Sequence, residues 1–381
     1  MNTNVNTRHL NYIDYGKCFC LLYTFLIHTG FSSFNNAIAF CMPFFFFIAG
    51  MNYNPDKRSL REFAAARFKQ LIIPYWLLII FYRIIDTLRF KIFDTGYPLY
   101  WKATFANLLY GSFVLPRFPF LTNLMKGVTA CPADPSNTYI MPSICPLWFL
   151  PAMFSASIIF ALLAPKFKKE FSAPKFILTV FALLCLASLE VHFRCLNQLP
   201  WGLGRGFYGA AIMLSGFCLR RHAPSDILDL KKRPALFLLF TGTYLFTIAA
   251  HSSGSAIIIS NYGDYGAASL FISGIGGACG AVALLMLMKQ FDELRGGREI
   301  KLLGEIGRKM IWIYGLQFLF FFLVELVYFK LGGKFQPDEY YMDLIPNSGI
   351  YLLVNLVQIA LAFFGGLYAA KLWYKTKERF R

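Results

Sequence analysis

Charged residues are scarce in this sequence. Of its 381 residues, 15% are Asp, Glu, Lys or Arg, whereas a soluble domain carries about a quarter. Hydrophobic residues make up 57%, and Phe alone contributes 42, more than a water-soluble fold could keep away from its surface. This composition excludes an ordinary soluble protein, and we expect a chain embedded in a membrane.

Repeats, separate soluble domains and metal-binding patterns are also missing. No repeat of 20–50 residues is visible, and no polar stretch is long enough to fold alone, so we predict one membrane-embedded domain over 1–381. Its longest non-spanning stretch, about 91–146, is predicted to form an outer-side loop or lid. The nine cysteines show no Cys/His spacing typical of a metal site. A disulfide between Cys131 and Cys145 in that loop is left open.

The apolar runs predict an all-α helical bundle. They have near-bilayer length and are separated by short basic or Gly/Pro-rich segments. We expect about ten transmembrane helices, with both termini in the cytoplasm. The predicted spans lie near 16–34, 35–52, 70–88, 147–164, 174–192, 202–219, 234–252, 267–288, 310–329 and 349–370.

The net charge of +17 has two possible explanations. In a soluble protein it would favour a nucleic-acid partner. Here the basic residues concentrate in alternate loops, after spans 2, 4, 6 and 8, and in the C-terminal tail, whereas the loop between spans 7 and 8 has none. This alternation follows the positive-inside rule, so we predict a cell-membrane protein with no nucleic-acid partner.

Helix 1 carries the strongest candidate site. Lys17 and His28 are eleven residues apart, which returns them to within about 20° of one another on a helix and separates them by roughly 16 Å. Asp14 and Thr24 extend the same stripe. Because ionisable residues in a membrane are costly, the stripe should face the protein interior. The alternative is a structural polar seam that only orients the helix.

Several segments together resemble the acyltransferase family 3 membrane proteins. They are YIDYGKCFCLLYTFLIH (12–28), with its basic residue, ten intervening residues and His, then MPFFFFIAG (42–50), ARFKQLIIPYW (66–76), LWFLPAMF (147–154), GFYGAAIMLSGFCLRR (206–221) and LLGEIGRKMIWIYGLQ (302–317). The subgroup most similar is the one related to fucose 4-O-acetylases. Gln317 stands where the family usually has His.

The resemblance implies O-acyl transfer, commonly of acetyl, from cytoplasmic acetyl-CoA to a hydroxyl of a surface or lipid-linked glycan in a bacterial cytoplasmic membrane. His28 is the candidate general base, because His accepts protons near neutral pH. Its orienting partner must come from another helix. The CoA phosphates need cations, and the predicted topology places Lys17, Arg67 and Lys69 at the cytoplasmic mouth.

Three further residues are candidates for substrate binding. Arg205, in the turn Gly204-Arg205-Gly206, is a candidate for binding the oxyanion or the acceptor. Trp148 and Asp14 are the other two, although Trp148 also suits packing. Arg67 and Lys69 could instead be positive-inside anchors only.

Two other functions remain open from the sequence alone. A transporter or flippase for a polar lipid or polyol would place paired charges at mid-membrane in both halves, whereas polar residues here concentrate in the first third. A sensor or assembly partner that keeps the fold without chemistry is the third possibility, because Gln317 cannot accept a proton at neutral pH.

Overall fold

The structure is a computed structural model that describes residues 10–29, 40–93, 104, 108–109, 147–192, 200–250, 267–332 and 349–379. All regular secondary structure in these residues is helical, which confirms the predicted all-α class. The helices are α1 (Asn11–His28), α2 (Cys41–Met51), α3 (Leu60–Arg67), α4 (Ile73–Phe93), α5 (Phe149–Leu163), α6 (Ala173–His192), α7 (Leu203–His222), α8 (Pro234–Ala250), α9 (Ala267–Leu294), α10 (Lys301–Lys330) and α11 (Gly349–Arg379).

Each predicted span overlaps one of these helices. Five helical segments are long and apolar enough to cross a membrane by length and composition: 60–85, 149–167, 270–294, 301–330 and 352–375. Ten crossings and cytoplasmic termini stay predictions. Most of the predicted lid and the possible Cys131–Cys145 disulfide lie outside the described residues.

A π-helical turn, Phe68–Ile72, joins α3 to α4. Pro74 follows closely and has no N–H to donate to the carbonyl of Gln70, so the regular ladder cannot continue through this point. The N–H of Ile73 donates instead to the carbonyl of Phe68, five residues back. The extra residue in this turn changes the direction of the side chains that follow it. Lys69, which was predicted to bind phosphate, lies within the turn.

The α2 helix lies at the centre of the bundle. Its four consecutive phenylalanines, Phe44 to Phe47, are all buried, as expected for a helix that is apolar on every side. Glycines let α2 and α7 approach backbone to backbone. A Cβ atom at Gly50 would overlap the carbonyl oxygen of Met213, and one at Gly216 would overlap that of Phe47.

The directions of α1, α10 and α11 are those expected for predicted spans 1, 9 and 10. The α1 and α10 helices run parallel, because Asp14 packs on Gly307 near their first turns and His28 contacts Gln317 further along both. The α11 helix runs antiparallel to α10, since its late residue Lys371 pairs with the early Glu305 at 2.5 Å.

The predicted cytoplasmic loops meet at one end of the bundle. Lys168 pairs with Asp56, and Arg220 Nη1 donates to Asn52 Oδ1 at 3.0 Å. The Asn11 amide donates to the carbonyl of Gly297 at 3.2 Å and so connects the start of α1 to the loop before α10. We call this the basic end, and it contains Lys17, Lys69, Arg308, Lys309 and Lys371.

Candidate functional site

His28 forms a side-chain hydrogen bond with Gln317. It is the last residue of α1, and its Nδ1 lies 3.0 Å from Gln317 Oε1 on α10. The Phe318 ring lies beside the imidazole with ring centroids 5.4 Å apart, and Gln317 is 0% exposed. The hydrogen-bond partner of His28 that comes from another helix is therefore Gln317.

The chemistry of an amide fixes the direction of this bond. An amide oxygen can only accept, so the proton of the bond belongs to Nδ1 of His28. In neutral imidazole the other nitrogen, Nε2, then carries the lone pair that can accept a proton. This pair can hold a neutral histidine as a general base inside an apolar helical bundle.

The predicted polar stripe of α1 does face the interior. Asp14 is 1% exposed, and Thr24 is buried. Asp14 accepts from Lys17 Nζ at 2.8 Å and lies 3.8 Å from Arg308 Nη1. Thr24 donates to the carbonyl of Cys20 at 2.8 Å in its own helix, which satisfies its hydroxyl locally. The stripe therefore separates into an ion cluster at the basic end and the His28–Gln317 pair further along.

A cavity of about 500 Å³ opens at the basic end between α4, α10 and α11. Its cations are Lys69, Arg308 and Lys309, with the Gln70 amide beside them. Trp312 and Trp373 form its aromatic wall, with ring centroids 4.8 Å apart. Arg308 also reaches Asp14 and connects the cavity to the ion cluster on α1. Cations beside flat aromatic rings suit a phosphorylated ligand with an aromatic part.

Arg67, the third residue predicted to bind CoA, lies next to the cavity and does not line it. Its Nη1 donates to Gln70 Oε1 at 2.9 Å, and its guanidinium lies 5.2 Å from the centre of the Phe63 ring. Gln70 in turn lines the cavity, so Arg67 orients one of its walls.

Arg205 and Trp148, both predicted to bind substrate, contact each other. The guanidinium lies 5.0 Å from the centre of the indole ring, and both residues are less than a tenth exposed. Phe149 follows Trp148 and packs on Tyr314 with centroids 6.2 Å apart. Tyr314 precedes Gln317 by one turn of α10, so these contacts connect the Arg205–Trp148 pair to the helix that orients His28.

Residues 10–376 match the model of a protein family described as an acyltransferase domain. The chain belongs to acyltransferase family 3. No curated protein and no solved structure matches it. This acyltransferase is a multi-pass membrane protein, as its apolar helices and its family indicate. The narrower resemblance to fucose 4-O-acetylases stays a prediction.

The sequence pattern missed three parts of the site. Gln317 stood out only as a departure from the family pattern, and its partnership with His28 required the fold. Arg308 and Lys309 were counted as loop charges, although their position just before an apolar run was a usable signal. Trp312 and Trp373 gave no signal, because they are far apart in sequence.

Proposed function

We propose that this acyltransferase moves an acetyl group from acetyl-CoA to a hydroxyl of a surface or lipid-linked glycan, with His28 as general base. The observation that supports it most directly is the His28–Gln317 hydrogen bond. A histidine held at Nδ1 by a neutral acceptor suits proton removal at Nε2. We place the enzyme in a bacterial cytoplasmic membrane, with the basic end towards the cytoplasm.

In the proposed step, the acceptor oxygen attacks the thioester carbonyl carbon while His28 Nε2 takes the hydroxyl proton. The tetrahedral intermediate then expels the thiolate, the carbon–sulfur bond breaks, and His28 returns the proton to sulfur. The products are an O-acetyl ester and free CoA thiol. A positioned base contributes about 10²–10⁴-fold in rate.

The cavity at the basic end is the proposed place for the nucleotide end of acetyl-CoA. Lys69, Arg308 and Lys309 would hold its phosphates, Lys17 would add charge beside Asp14, and Arg67 would orient Gln70. Arg308 and Gln317 are nine residues apart on α10, or roughly 14 Å along the helix. The extended arm of the donor suits that separation, with its thioester near His28.

The acceptor is proposed to approach from the Arg205–Trp148 side. A guanidinium over an indole ring combines a flat apolar face with fixed hydrogen-bond donors, which suits a sugar or an anion. Asp14 was predicted to bind substrate. Its pairing with Lys17 and Arg308 favours a different proposal, in which it positions the two cations.

Mass spectrometry of surface glycans tests this function. Cells that express the protein should carry glycan with an added acyl mass, and cells without it should not. Glycans of identical mass in both would refute the proposal. Uptake of a polyol or sugar lipid into vesicles without acetyl-CoA would favour the transporter instead.

A further inference from the structure

The side-chain amide of Gln317 has a second polar group, the nitrogen Nε2. Its Oε1 accepts from His28, but its Nε2 is buried and has no hydrogen-bond partner among the residues that the structure describes. A buried amide N–H₂ without an acceptor costs free energy, and buried donors are nearly always satisfied. An oxygen that is supplied by a bound ligand would satisfy it.

The ligand oxygen would have to lie close to the base. The oxygen and nitrogen of an amide belong to one rigid planar group, and Oε1 is fixed on His28 Nδ1. A ligand oxygen that accepts from Gln317 Nε2 therefore lies near the imidazole ring of His28. In the proposed reaction, one oxygen near the base gains negative charge, and it is the carbonyl oxygen of the acyl donor.

We propose that Gln317 both positions His28 and donates from Nε2 to the acyl carbonyl oxygen, an inference that rests on the proposed function. When the acceptor attacks, the carbonyl π electrons move onto this oxygen, where the N–H of Gln317 stabilises them. They return to re-form the C=O bond as the carbon–sulfur bond breaks. A neutral amide does this without taking the proton that His28 must carry.

The positioning half is tested without any reaction. Protein labelled with ¹⁵N-histidine in lipid is examined by NMR, and the His28 signals are identified as those lost in His28→Asn. We expect the Nδ1–H tautomer in the native protein and its loss in Gln317→Leu. Gln358→Leu removes another buried amide, on α11, and should leave the signal unchanged. An Nε2–H tautomer in the native protein would overturn the positioning role.

The donor half is tested by transfer of radiolabelled acetyl from acetyl-CoA in membranes. Gln317→Glu, as the carboxylate, keeps an oxygen for Nδ1–H but has no hydrogen to donate, so we expect the Nδ1–H signature with kcat reduced about 10²–10³-fold. Gln317→His supplies both an acceptor and a donor and should exceed the Glu and Leu variants. Equal turnover in native protein and Gln317→Glu would overturn the donor role. If Gln317→Glu does not accumulate, a Gln317→His variant that is no more active than Gln317→Leu would overturn that role as well.

These results separate this inference from the general proposal. If acetyl transfer occurs and requires His28 but is indifferent to Gln317, the inference fails and the proposed function stands. If no acetyl transfer is found, the tautomer measurement still decides whether Gln317 positions His28.

Discussion

His28 Nδ1 and Gln317 Oε1 lie 3.0 Å apart across 289 residues of sequence, and this hydrogen bond joins the end of α1 to the middle of α10. The same two helices meet again at the basic end, where Asp14 lies between Lys17 and Arg308. The parallel pair α1 and α10 therefore connects a cationic cavity to a histidine within the bundle.

The cations of the cavity should determine affinity for acetyl-CoA. We expect Lys69→Gln and Lys309→Gln each to raise the KM for acetyl-CoA about tenfold, because hydrogen bonds to charged groups contribute about 1.5–3 kcal/mol. The kcat should change little, since these residues bind a part of the donor remote from the reacting carbon. The measurement is initial rate against acetyl-CoA concentration in membranes.

Lys231→Gln is the matched control, because Lys231 is an exposed lysine of the loop between α7 and α8. It removes one positive charge from the basic end without touching the cavity. An unchanged KM in the Lys69→Gln, Lys309→Gln double variant would contradict the assignment of the cavity to the donor.

The Arg205–Trp148 stack should affect acceptor use and not donor use. Arg205→Lys keeps the charge but loses the planar guanidinium that lies over the indole, an interaction of about 0.5–2 kcal/mol. We expect less acetyl incorporated into glycan at an unchanged KM for acetyl-CoA. Arg220→Lys, at a residue that donates to Asn52, is the control. A raised KM for acetyl-CoA in Arg205→Lys would place this pair in the donor site instead.

The close contact between α2 and α7 should contribute to the stability of the folded protein. Gly50→Ala would press a methyl group against the backbone of Met213, and overpacking costs about 1–3 kcal/mol. We expect a lower Tm for the detergent-solubilised protein. Gly242→Ala on α8 meets nothing within 4 Å and should not lower Tm, because Ala favours a helix more than Gly does. Equal Tm values for the two variants would show that the helices can separate at no cost.

Hydropathy and spacing predicted the positions of the helices better than they predicted the contacts between them. The Lys17–His28 spacing correctly placed Asp14 and Thr24 on an interior face, because helical periodicity is local. The start of α10 was predicted near 310, whereas the helix begins at Lys301. Hydropathy marks the apolar part of a helix and not its full length. Arg308 and Lys309 precede the apolar part and were therefore assigned to a loop.

The partner of His28 could not be predicted from the sequence. It depends on the packing of α1 against α10, which lie at opposite ends of the chain. The π-helical turn at Phe68–Ile72 was also missed, although Pro74 is the local reason for it. The His28–Gln317 contact belongs to tertiary structure, and the π-helical turn is a local irregularity that hydropathy does not mark.

The most direct measurement compares glycan acylation in cells that carry native protein, His28→Ala or His222→Ala. His222 bonds to the carbonyl of Phe167 at the basic end and serves as the matched histidine control. We predict that the acyl mass disappears from the glycan in His28→Ala, with normal protein in the membrane, and persists in His222→Ala. Full acylation in His28→Ala cells would contradict the role of His28 as the base.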